Sequence, residues 1–416
     1  MRIVMLVSVL SLAAPAAAAP IAIVGAKVHV KPGTTLDRAT VIVDGGKVKA
    51  VGVDLAVPAG ATVIDGAGKV VTAGLIEAAS GVGLIEIDLE AASDDGRLHA
   101  ADALHRDAIH AAYQARDGYD AHSVMIAVAR SGGVTAIVAV PAGGVVGGQS
   151  AAYALVDDAE QPLLAPAAMH AELGPPAAGA VDGSRGRAIE LLREVLDDAA
   201  AYAKDKAGFE RNQRRELIAD RLDLEALGPL LRRQIPLVVY AHAEADLRAA
   251  VRLATERRLR LVIAGGAEAW RIAPLLAKAK VAVILDPTDN LPDRLEATDV
   301  RDDRAAILAK AGVTVAIATL GNAGAARTIR HLAGVAVANG LPWDQALAAI
   351  TTAPAAIYGL TGRGTVVAGA VADLVVWSGD PLELTTAAEV VIIGGAVQSN
   401  VSHQTRLLDR YRTLPK

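Results

Sequence analysis

The stretch Gly359–Pro381, GLTGRGTVVAGAVADLVVWSGDP, decides how the rest of the chain is read. Its glycine-rich flanks enclose the β-forming run Leu374–Trp377, and a second such run follows in Glu389–Gln398, EVVIIGGAVQ. The same texture recurs at the other end of the chain, in Ile21–Val30, Thr40–Gly52 and Ala61–Val71. There Asp44-Gly45-Gly46 separates two β-rich runs, a hairpin signal because the turn needs positive φ and glycine supplies it cheaply. Two β-rich ends around a different middle predict one small composite β-sandwich, built from residues 20–72 and 361–405.

The middle, residues 73–360, alternates strand-like runs with amphipathic helices, the pattern of parallel βα units. The strand candidates are Leu75–Ala79, Thr135–Val140, Ala151–Val156, Leu163–Met169, Leu237–Ala241, Leu261–Ala264, Val281–Leu285 and Thr314–Thr319. Eight strands predict an α/β fold of the (β/α)₈ barrel type, with active groups at the strand C-terminal ends. The third and fourth lie close together with no helix between them. The helical pattern Asp246–Arg257 sets Leu247, Val251 and Ala254 on one stripe. Asp197–Leu231 is charged and helical in pattern and is expected as an outer insertion or lid. Its basic run Arg211–Arg215 reads as a solvated helix face.

Composition narrows the function. Of 416 residues, 53% are apolar and 21% charged, as in a globular protein. Aromatics make up 3% with a single Phe, so the core must be Ala, Val, Leu and Ile, and base-stacking surfaces are lacking. With a formal charge of −5 as well, a nucleic-acid partner is not expected, whereas a small molecule is. The absence of Cys removes disulfides, thiolate nucleophiles and cysteine-linked lipid anchors. The opening MRIVMLVSVLSLAAPAAAAP has a basic residue, a short apolar run and a small-residue tail, the order of a secretory signal over residues 1–19. The expected address is secreted, in the bacterial periplasm, with no membrane span. Nothing in the sequence fixes the oligomeric state.

The order of segments resembles the amidohydrolase superfamily, in its imidazolonepropionase-like and dihydroorotase-like branch. The resemblance covers nearly all of the chain after residue 20. It rests on Gly25–Gly33 (GAKVHVKPG), Gly74–Leu84 (GLIEAASGVGL), Gly132–Gly143 (GGVTAIVAVPAG), Tyr240–Ala254 (YAHAEADLRAAVRLA) and the closing Gly359–Pro381 stretch. The family implies one or two divalent metals that polarise an amide carbonyl and generate hydroxide from bound water. Its ligands can be sought position by position. Ala79 and Gly81 stand where the first-strand histidine pair should be. His242 matches the fifth-strand histidine, Gly265 replaces the sixth-strand one, and Leu320 falls at the eighth-strand aspartate. The bridging lysine of some members has no counterpart, and His170 sits near that strand end instead. Alanine, glycine and leucine offer no lone pair, and a catalytic zinc needs about three protein ligands. The resemblance therefore implies a degenerate metal centre, no resident cofactor and impaired catalysis, with a small ligand or partner in the barrel mouth.

A rebuilt site is the alternative. His170, His242 and Asp286 all fall near strand C-terminal ends, and two His with one carboxylate can hold one divalent metal such as Zn²⁺. In that reading His242 and Asp286 are catalytic in the hydrolysis of small cyclic or linear amides. Glu77, Glu86, Asp88 and Glu90 follow the first strand and offer oxygen ligands or a base. Thr319, Ser80 and Ser150 are hydroxyl candidates, and Ser150 ends the glycine-rich Val140–Ser150 loop (VPAGGVVGGQS). The chain has no GxSxG elbow and no Walker-type ending to that loop, which is expected to approach a ligand with backbone amides. The candidate ligand-binding set is His170, Glu77, Ser150 and Thr319.

Overall fold

The computed structural model describes residues 19–97, 108–211, 215–292 and 294–413. The signal-like stretch before residue 19 and most of the Arg211–Arg215 run lie outside the described residues. The amino-terminal strands are β1 (Ile21–Lys31), β2 (Thr34–Asp44), β3 (Lys47–Val53), β4 (Thr62–Asp65) and β5 (Val70–Ala73). The middle of the chain supplies β6 (Leu75–Ser80), β7 (Val134–Ala139), β8 (Val146–Ala154), β9 (Leu164–Glu172), β10 (Leu237–Ala241), β11 (Leu261–Gly265), β12 (Ala282–Leu285) and β13 (Val315–Ile317). Near the other end come β14 (Leu374–Trp377), β15 (Ala388–Ile393) and β16 (Ala396–Val397).

The two ends meet in one sheet, in the order β16-β15-β14-β5-β1-β2-β3 with β4 against β1. The junction is the antiparallel pair β5–β14, with Ala73 opposite Leu374 and Val70 opposite Trp377. The β2–β3 hairpin turns on Gly45 (φ 58°) and Gly46 (φ 76°), as expected from the Asp-Gly-Gly signal. Its far edge reaches the carboxy-terminal half, where Val48 N donates to Ala370 O at 2.9 Å. The strands thus share one hydrogen-bonded path and one core, with Val28, Val41, Val71, Leu374 and Val376 fully buried.

The second sheet runs β13-β12-β11-β10-β9-β8-β7-β6, a nearly closed barrel containing all eight strands read from the sequence. One departs from the expected parallel pattern: β8 is antiparallel to both β7 and β9. The links Val140–Val145 and Leu155–Leu163 are shorter than the dozen or so residues a crossover requires, so the chain folds straight back. The interior is filled by short side chains such as Ile76, Ala136, Val138, Ala152, Val238, Ile284 and Ala316. The helix Thr352–Tyr358 packs against this cluster. Its Ile357 carbonyl accepts from Arg260, just ahead of β11, so the plug sits at the strands' N-terminal end and leaves the opposite mouth open.

Helix Glu244–Arg257 buries the expected Leu247, Val251 and Ala254 stripe against the barrel. Of the two expectations for residues 197–231, outer insertion or lid, the outer one agrees with the structure: it packs on the outside of the barrel. Helix Arg185–Lys204 buries Leu191, Leu192, Val195, Leu196, Ala199 and Tyr202 in the main core, together with the carboxyl of Asp198. Beyond it, Arg215 pairs with the fully buried Asp198, which also accepts from Ile218 N at 2.8 Å. Among the described residues, no helix is long and apolar enough to cross a membrane.

Candidate functional site in the barrel mouth

The barrel does not close by strand pairing between β6 and β13. A side chain does the work there. Glu77, fully buried on β6, accepts from Thr319 N at 3.0 Å and from Ala79 N at 3.3 Å through one oxygen, while Gly321 N donates to Ala79 O at 2.8 Å. The other Glu77 oxygen has no partner. Burial pushes this carboxyl up to about 8, only partly offset by the two backbone donors, so it is largely protonated at neutral pH. Tyr358 reinforces the same strand by donating to Ala78 O at 2.7 Å.

Above this seam lies a cavity of about 420 Å³. Its floor and walls include Ala79, Gly81, His170, Glu172, Tyr240 and Leu320, and its rim carries Arg97 and the glycine loop at Gly143, Gly144 and Gly147. The polar wall follows from strand alternation. His170 and Glu172 are two apart on β9 and so share a face, and Tyr240 on β10 is in register with Glu172. His170 is 8% exposed, its Nε2 has no partner, and burial lowers its pKa to about 3. It is therefore a neutral imidazole at any physiological pH. Burial pushes half-buried Glu172 up to about 7, with Arg97 opposing the shift. Tyr240 is held well above the ordinary phenol range by burial and stays a neutral donor.

The other residues singled out in the sequence fall elsewhere. His242 follows β10, but its ring turns onto Gly265 and lies edge-on to Tyr240 at 5.4 Å between centroids. It is outside the cavity lining, and neither ring nitrogen has a hydrogen-bond partner. Desolvation, with Arg294 adding to it, lowers its pKa. Asp286 closes an Asx-type turn, accepting from Thr288 N at 2.8 Å and Thr288 Oγ1 at 2.6 Å. Thr319 donates its hydroxyl to Asn322 O at 3.1 Å. Ser150 is 1% exposed with an unpartnered Oγ and does not line the cavity. Among the described residues, no three His, Asp or Glu side chains converge as a metal-holding group.

The vacant positions are filled by neighbours. A Cβ built on Gly81 would collide with the carbonyl oxygen of Gly321. One on Gly265 would lie 2.8 Å from His242 Cε1 and 2.9 Å from its Nε2, closer than real Cβ contacts, on a backbone with φ 87°. Sequence reasoning found His170 but missed Glu172, Tyr240 and Arg97. A strand read as Leu163–Met169 stops short of the alternation that sets Glu172 on the His170 face.

Comparison with known proteins places this architecture. A family model described as "Amidohydrolase family" matches residues 335–398, the run from the last barrel helices into β16. The chain is 29% identical over 188 residues to amidohydrolase tasK of Hapsidospora irregularis, covering 44% of this chain but 19% of that protein, so it spans about a fifth of that relative. The crystal structure of an amidohydrolase from Thermotoga maritima MSB8 superposes with a TM-score of 0.81 at 28% identity, over 91% of this chain and 99% of that one. Atrazine chlorohydrolase from Arthrobacter aurescens TC1, a structure complexed with zinc, shares the fold at TM-score 0.52 and 18% identity, over 94% and 99% of the two chains. In its two-sheet architecture and in these likenesses, the chain resembles members of the amidohydrolase superfamily.

Proposed function

We propose that this chain is an amidohydrolase-type scaffold that does not carry out metal-assisted hydrolysis and instead holds a small organic ligand in the barrel mouth. One observation carries the reading: the space that ligand side chains would need at Gly81 and Gly265 is taken by the Gly321 carbonyl and by the His242 ring. A catalytic zinc needs about three protein donors and an open position. The described residues at this mouth do not fit such a metal. What remains is a cavity of about 420 Å³, within the range of small-molecule sites, with an apolar wall and a few polar groups. The signal-like opening, MRIVMLVSVLSLAAPAAAAP, supports a periplasmic address.

Elemental analysis of the dialysed protein should find well below one equivalent of zinc, iron, manganese or nickel per chain. About one tightly held ion would overturn the reading. So would zinc-stimulated hydrolysis of cyclic amides or dipeptides that disappears in His242→Ala. The ligand role is checked by a thermal-shift screen of small molecules against the wild type and Ala142→Trp, which crowds the exposed rim. Hits should be lost in the variant; hits that persist would place binding elsewhere.

A further inference from the structure

Arg97 and Glu172 face the same cavity without meeting each other. Among the described residues the Arg97 guanidinium makes no hydrogen bond or ion pair, and neither does the Glu172 carboxyl. Each nevertheless feels the other, since Arg97 is the charge that opposes the burial-driven rise of Glu172. In the same lining sits the His170 imidazole, 8% exposed and with Nε2 unpartnered. An unpaired buried imidazole is costly, and with an unpaired carboxyl and an unpaired guanidinium on the same lining it describes the complement of what belongs in the cavity. The rest of the lining includes the apolar Val140, Val238, Ala264 and Leu320.

A simple anion would satisfy Arg97 and leave the buried carboxyl facing like charge. A simple cation would do the reverse. A molecule that carries both charges on a compact head, with an apolar body, satisfies every wall. We propose that the mouth binds an apolar α-amino acid as its zwitterion, the carboxylate on Arg97 and the ammonium on Glu172, with its side chain against the apolar part of the lining. The neutral His170 ring accepts one further ammonium N–H. Arg97 suits the carboxylate because its planar fork can donate two parallel hydrogen bonds. This inference rests on the reading of the mouth as a ligand site and names the chemistry of its occupant.

The test is calorimetric titration of the full chain with L-leucine, N-acetyl-L-leucine and L-leucinamide. The two blocked analogues each remove one charge. Leucine should bind at least about tenfold more tightly than either, the worth of losing one charge-assisted contact. Arg97→Gln should weaken leucine and N-acetyl-leucine while leaving leucinamide unchanged. Glu172→Gln should weaken leucine and leucinamide while sparing N-acetyl-leucine. Arg97 is exposed and the Glu172 change is isosteric, so both variants should keep the wild-type unfolding temperature, which is measured alongside. Equal affinity for all three compounds, or no leucine binding, overturns the zwitterion. If leucine fails while other screening hits bind and are lost in Ala142→Trp, the mouth remains a ligand site with a different occupant. Silence throughout removes both readings.

Discussion

Replacing Glu77 by Gln should abolish most of a stability loss that the wild type suffers between pH 5 and pH 8.5. The carboxyl is completely buried, has one oxygen without a partner, and is pushed by burial from 4.5 to about 8. Because the folded pKa is the higher one, folding is favoured by proton binding. This contribution is fully present below about 4.5 and is lost as pH rises through about 8. At about 1.4 kcal/mol per pH decade the shift corresponds to roughly 5 kcal/mol. Local relaxation and water entry reduce such a cost, so the measurable difference should be at least about 2 kcal/mol. Glutamine keeps an oxygen to accept from Thr319 N and Ala79 N and cannot ionise. Urea unfolding of both proteins at pH 5 and pH 8.5 gives the double difference, which cancels every other titrating group. If wild type and Glu77→Gln lose stability equally over that interval, Glu77 is ionised in the folded barrel and the seam argument fails.

Gly265→Ala should cost about 1–3 kcal/mol, because the new methyl meets the His242 ring at 2.8 Å on a left-handed backbone. Adding His242→Ala should return part of that loss in a double-mutant cycle; a fully additive pair would show that the ring is not what fills the space. Deleting Gly364–Lys416 removes β14 to β16 and strips cover from Val28, Val41 and Val71. Each apolar side chain returned to water costs about 1.5–3 kcal/mol, so the truncation should lose cooperative unfolding. A soluble truncation that unfolds cooperatively would show that the two ends do not share a core.

The architecture was legible where local chemistry and long-range order agree. Asp44-Gly45-Gly46 makes its turn with its own backbone, and the runs at both chain ends are rich in β-branched residues and punctuated by glycine. The barrel strands were legible as apolar runs, but their direction was not. The antiparallel course of β8 follows from the length of the links on either side, which periodicity does not weigh. The site was less readable still. His170 could be placed because it lies near a strand end, whereas Glu172 needed the true end of β9 and Tyr240 needed the register of β10 against it. His242 shows the limit most clearly. Its position in the chain suggested a group facing the mouth, yet the missing side chain at Gly265 lets its ring turn aside. That rotation depends on an absence some two dozen residues away, which no local pattern records.

The glycines at 81 and 265 also bear on the paths open to this sequence under further mutation. An imidazole restored at 265 must first evict His242. One restored at 81 must first displace the carbonyl of Gly321, a residue whose N–H already bonds the Ala79 carbonyl. Each step loses stability at once, while a metal returns nothing until about three donors are in place together. Single substitutions towards an ion-binding mouth therefore run uphill, one after another. On the proposed reading the packing works as a ratchet: it keeps an ion out of the barrel mouth even without any selection against one.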